Sequence, residues 1–85
     1  MKDFTRIIEK ISCKQDFILF VEMLTQDFKE NSENWENNNL GLYLEGISSW
    51  TDDMEGYYEN NKIDITKLNQ WQIFANILVA ASIYE

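Results

Sequence analysis

Histidine and proline are absent from this chain of 85 residues, cysteine occurs once, and glycine three times. Each scarcity removes a class of function. Without imidazole there is no Ser-His-Asp triad, no histidine metal site and no imidazole acid or base. Gly41, Gly46 and Gly56 stand singly, so no Gly-rich phosphate loop exists, and with no proline the chain is poor in the turn chemistry of a many-stranded protein. The lone Cys13 has no partner for an internal disulfide and carries little signal by itself, which fits a reducing compartment.

Cations are also scarce. Seven Lys and Arg stand against fifteen Asp and Glu, for a formal charge of -8. That balance excludes nucleic acid as a partner, because affinity there comes largely from cations on phosphates, and it disfavours an anionic membrane surface. The longest apolar stretch, Ile73 to Ile83, is interrupted by Asn76 and Ser82 and is too short to span a bilayer. No apolar signal region follows Lys2, so the expected location is the cytoplasm.

What the chain does have is apolar and aromatic material, 45% and 14% of its residues. A chain this short must bury its core efficiently. The expected fold is all-α: a single helical domain over 1–85, built as a small bundle of three long helices plus a short N-terminal helix. Its organising element runs from Trp35 to Tyr58. Counting about 100° per residue from Leu40 puts Tyr43, Leu44, Ile47, Trp50, Met54, Tyr57 and Tyr58 on one stripe, the mark of a helix packed on a core. Glu45, Asp52, Glu55 and Glu59 fall on one flank and Asp53 on the other. Asn37 or Asn38 is suited to cap this helix, with Trp35 folding back as a hydrophobic staple. The three glycines lie off the stripe and are either tolerated defects, with a kink near Gly56, or points where another backbone comes close.

Before it, Phe4, Ile7, Ile8 and Ile11 predict a short first helix with Asp3 as cap. Ser12 to Gln15 matches a capping box that starts a second helix, whose inner stripe is Phe17, Phe20, Val21, Leu24 and Phe28, with Cys13 in its first turn. Asn31 to Asn39 reads as a polar connection. After it, Ile63 to Thr66 reads as loop, and Thr66 or Asn69 caps a last helix from about Asn69 to Tyr84. That helix is apolar nearly all round, which predicts a place at the middle of the bundle, or a homodimer if its neighbours leave it uncovered. Tyr84 and Glu85 put negative charge at its C-terminus, where a cation from Lys2, Arg6 or Lys10 is expected.

Chemistry finds little to work with. Asp52, Asp53, Glu55 and Glu59 lie within two turns, which leaves a hard-cation site arithmetically open, but their spacing is not that of an EF-hand and a solvated helix face accounts for them. A third reading makes them a recognition surface beside aromatic anchors. Trp35, Glu36 and Asn37 likewise read either as staple and cap or as a loop feature that a partner recognises.

The stretch Phe17 to Phe28 with Asp27, then Trp35-Glu36-Asn37, Leu44-Glu45, Trp50, Asp53-Met54, Gly56-Tyr57-Tyr58, Trp71, Ala75, Leu78, Ala80-Ala81 and Tyr84-Glu85 resembles a family of short bacterial domains of unknown function. The resemblance covers about three quarters of the chain. One departure is the lack of a proline before Trp71, which relatives often carry. The resemblance implies a small all-helical domain and no known activity.

The leading expectation is therefore a non-enzymatic acidic domain, without metal or cofactor, that binds a basic protein in the manner of an immunity-type inhibitor. Its candidate binding residues are Trp35, Glu36, Asn37, Glu45, Asp52, Asp53, Glu55 and Glu59. The alternatives are a structural homodimer and a carboxylate-based, metal-dependent enzyme.

Overall fold

The computed structural model describes residues 3–84. Four α-helices, α1 (Thr5–Glu9), α2 (Lys14–Asn31), α3 (Leu40–Asn60) and α4 (Gln70–Ala81), are joined by 3-10 turns at Ser32–Asn34 and Ile65–Lys67. The fold is all-helical, with no strand among the described residues. The last helix is shorter than its apolar pattern suggests, with 12 residues against 18 in α2 and 21 in α3.

Helix α4 is the hub and packs against α1, α2 and α3. Its central residue, Ala75, is fully buried, and its small side chain lets the larger Phe4, Phe20, Leu24 and Trp35 meet around it in one core. Phe4 and Phe20 join α1 to α2 edge to face at 5.6 Å. Phe17 reaches from α2 to Trp71 of α4 at 5.4 Å. Burying a side chain such as Phe4 or Phe20 contributes roughly 2–3 kcal/mol. The segment around the short α1 supplies Phe4, Ile8 and Ile11 to the core, and the carbonyls of Ile8, Glu9 and Ile11 as attachment points.

Those attachments come from the start of α4. Asn69 caps it in a reciprocal box, accepting from the Gln72 amide at 2.9 Å while Gln72 accepts from the Asn69 amide at 3.0 Å. The spare amide hydrogens then donate to the end of α1 and the turn after it: Gln72 Nε2 to the Glu9 carbonyl at 3.1 Å and Asn69 Nδ2 to the Ile11 carbonyl at 2.8 Å. One pair of side chains thus starts one helix and finishes another.

The box expected at Ser12 is reversed. Cys13 takes the cap position of α2 without a side-chain bond, and Asp16 instead accepts from both the Ser12 amide, at 3.0 Å, and its hydroxyl, at 3.1 Å. Asp3 holds the Thr5 amide at 2.9 Å, one residue before the cap position of α1. Asn39 caps α3, accepting from the Leu42 amide at 2.9 Å, in place of Asn37 or Asn38. At its other end α3 closes with the bond pattern of a Schellman turn, from the Lys62 amide to Glu59 and from the Ile63 amide to Tyr58. Lys62 occupies the left-handed position there, with φ 56°, where glycine is the usual residue.

The inner line of α3 is Tyr43, Gly46, Ile47, Trp50, Met54 and Tyr58. The expected stripe is therefore correct at its centre and displaced at its edges: Leu40 is 72% exposed, Leu44 54% and Tyr57 45%. Gly46 causes the displacement. A Cβ on it would lie 2.5 Å from the Ala81 carbonyl oxygen, so the backbones of α3 and α4 meet there and the buried line turns toward the smallest residue. A Cβ on Gly56 would meet nothing within 4 Å. Of the two readings of the glycines, close approach holds at Gly46.

Candidate functional site

The Asn-rich connection turns inward. Trp35 is buried, its Nε1–H donating to the buried carboxylate of Asp27 at 2.9 Å, with its ring between Phe28 and Tyr43. The contact with Tyr43, in the first turns of α3, is the staple the sequence suggests. Phe28 itself stays partly exposed at the edge of α2, covering Trp35 rather than joining the inner stripe. Asn37 is also buried. Its amide Nδ2 donates to the carbonyls of Ala81, at 2.8 Å, and Tyr84, at 2.6 Å, and its backbone amide to Ser82 at 2.9 Å. Amide donors of Asn37 satisfy carbonyls at the end of α4; of the cations expected there, the candidate Lys2 lies outside the described residues, as does Glu85 itself. Of Trp35, Glu36 and Asn37, only Glu36 presents its side chain to solvent.

The acids of α3 do the opposite. Glu45, Asp52, Glu55 and Glu59 are exposed, and helical spacing sets all four roughly opposite the inner line that contains Trp50. The aromatic seam and the acidic face are thus two sides of one helix and not a single surface. Asp53 is the exception: it lies on the inner flank, where its carboxylate accepts from the Tyr84 hydroxyl. Among the described residues no three Asp, Glu or Cys side chains converge as metal ligands, so these acids are spread along the helix and do not form a cage.

Charge is segregated along the chain more sharply than its total implies. Eight of the fifteen acids fall between Glu30 and Asn61, a stretch with no Lys or Arg, and the other seven are matched in number by the seven cations. The entire formal excess of -8 therefore falls between the last turn of α2 and the end of α3, with Glu30 on α2 and the other seven acids on the connection and α3. Counting cations by segment would have found this in the sequence.

On its inner side α3 opens a groove of about 640 Å³ against α1 and α4. Trp50, Tyr57 and Tyr58 form one wall, Phe4 and Ile8 another, and Val79 and Ala80 a third, with the exposed Ile83 at its margin. The three α3 rings contact one another at 5.4–6.1 Å. Asn76 Nδ2 donates to the Tyr58 hydroxyl at 3.0 Å and fixes that ring. Burial raises the Tyr58 phenol above its ordinary pKa, and the bond from Asn76 partly offsets that. Tyr84 is raised as well, because its hydroxyl donates to the Asp53 carboxylate. Among the described residues, the charged ones in the lining are Asp3 and Glu9.

A family model matches residues 13–85. The chain belongs to a family of unknown function, DUF7660. No curated protein and no solved structure matches it. The match begins at the cap of α2, so α1 and its flanks, with core residues Phe4, Ile8 and Ile11 and one wall of the groove, precede the matched span. No helix among the described residues is long and apolar enough to cross a membrane.

Proposed function

We propose that this is a non-enzymatic, protein-binding domain that recognises a basic partner protein, in the manner of an immunity-type inhibitor. The observation that carries the reading is the placement of the whole formal charge excess in residues 30–61, with Glu45, Asp52, Glu55 and Glu59 held exposed along α3. A helix that keeps its carboxylates unpaired by any cation of its own segment sets up a field that attracts a positive surface and speeds encounter. Capture from an extract of the protein's own cells tests it. A basic protein retained at low salt and released at high salt, and not retained by the combined variant Glu45→Gln, Asp52→Asn, Glu55→Gln, Glu59→Gln, is the expected result. Retention that ignores both salt and the variant overturns the proposal.

A second reading, self-association, draws on the exposure of Leu40 and Leu44 on one edge of α3 and of Phe74 on α4, which its three neighbours leave 47% exposed. Light scattering separates the two: a homodimer shows twice the monomer mass with no partner present.

A further inference from the structure

The groove between α1, α3 and α4 is predominantly apolar and aromatic, yet carboxylates stand on both of its lips. Asp3 and Glu9 line the α1 side, and Asp53, through its bond with Tyr84, stands on the α3 side. No Lys or Arg is among the described residues that line it. Its volume of about 640 Å³ lies within the range of formed binding sites, roughly 300–1,000 Å³. Arg6 stands near Asp3 and offsets part of its charge, but the charged groups among the described lining residues are carboxylates, and an apolar centre so bounded selects an occupant with the complementary pattern, apolar along one face and cationic at its margins.

We infer that this groove receives a basic amphipathic segment of the partner protein, its apolar side chains against Trp50, Tyr57 and Ile83 and its Lys or Arg side chains on Asp3, Glu9 and Asp53. The inference rests on the proposed recognition of a basic protein and says where that partner is anchored. It gives the two faces of α3 separate work: the outer acids attract from a distance, and the inner groove holds. Aromatic residues in a pocket with a charged rim are the arrangement in which a few anchors carry most of the binding energy. Helical segments in such grooves are read through side chains at i, i+3, i+4 and i+7.

The probe is a synthetic peptide of Leu and Lys with the Leu residues at that spacing, compared with one in which Glu replaces every Lys. Binding is followed by calorimetry on the whole chain, for the native protein, for Ile83→Lys, and for the combined variant Asp3→Asn, Glu9→Gln, Asp53→Asn. Ile83 is 51% exposed, so a lysine there puts a cation over the groove without opening the core. The basic peptide binds the native protein at least about tenfold more tightly than the acidic one, and each variant weakens it by about tenfold or more. Failure of the basic peptide to bind, equal binding of both peptides, or unchanged binding to Ile83→Lys overturns the inference. A captured basic partner that is lost from the outer-face variant but kept by Ile83→Lys would overturn the groove alone and leave the proposed function standing. A partner indifferent to salt would remove the proposed function itself.

Discussion

At Gly46, α3 lies against the Ala81 carbonyl with no space for even a methyl group, whereas one to three turns further on Trp50, Tyr57 and Tyr58 stand back from α4 over a groove of about 640 Å³. Both regions belong to the same pair of helices. At the closed junction every neighbour is tied: Asn37 to Ala81 and Tyr84, and the Tyr43 hydroxyl to Leu78 at 2.7 Å. In the open region the ties, Asn76 to Tyr58 and Tyr84 to Asp53, fix the walls and do not fill the space between them. The junction reads as the anchor that sets how α3 lies on α4, and the groove as the space left beyond it. Side-chain bonds from α3, at Tyr43, Asp53 and Tyr58, reach α4 and its following turn at Leu78, Tyr84 and Asn76.

The contrast is open to attack at its tightest point. Gly46→Ala places a Cβ against backbone, which has no flexible end to move, and should destabilise by about 2–3 kcal/mol in chemical unfolding, since overpacking of this kind typically costs 1–3 kcal/mol. A neutral result would mean that the close approach does not exist. Asn37→Asp should cost about 2 kcal/mol, because it turns two donors into acceptors that face the carbonyls of Ala81 and Tyr84. Asn37→Ala should cost somewhat less, and an Asp variant as stable as the Ala variant would contradict the assigned bonds.

Alkaline pH probes the same junction. The Tyr43 hydroxyl is half-buried, and burial pushes its pKa from 10 up to about 12. The unfolded chain releases that proton first, so the stability Tyr43 contributes is complete below about pH 10 and is lost as the pH rises toward 12. Unfolding followed across that window should show stability falling with pH, and Tyr43→Phe should flatten the decline. A slope that Tyr43→Phe leaves unchanged would place the titration elsewhere.

The smallest effects sharpen the contrast from the open side. Gly56→Ala meets nothing within 4 Å and should stabilise the helix by about 0.5–1 kcal/mol, the opposite sign from Gly46→Ala. Lys62→Gly should gain a similar amount, about 0.5–1 kcal/mol, by relieving the left-handed conformation after α3. Thermal melts of the two glycine variants side by side give the comparison in one experiment.

Helical periodicity made the elements legible, because apolar spacing is local and α2, α3 and α4 each carry several turns of it. The hub position of α4 was legible for the same reason: a helix apolar on all sides needs neighbours on most of them. What the sequence hid depends on residues far apart. Nothing local joins Asn37 to Ala81 or pairs Gly46 with the α4 backbone, so an asparagine near a helix start read as a cap and a glycine read as standing off the stripe. Asp27 and Trp35, eight residues apart, are brought together only by the turn at Ser32–Asn34. Of the candidate binding residues, Glu45, Asp52, Glu55 and Glu59 are exposed as expected but lie across α3 from the aromatic seam rather than beside it, while Trp35 and Asn37 hold the fold together from inside. The groove was hidden most completely, since its three walls come from separate segments.

The most direct test of the account is the salt dependence of binding to the basic partner, measured for the native protein and for the variant with Glu45, Asp52, Glu55 and Glu59 neutralised. The account predicts an affinity for the native protein that falls steeply as salt rises, and a variant that binds more weakly with a much flatter dependence. Equal affinities and equal slopes for the two proteins would contradict it.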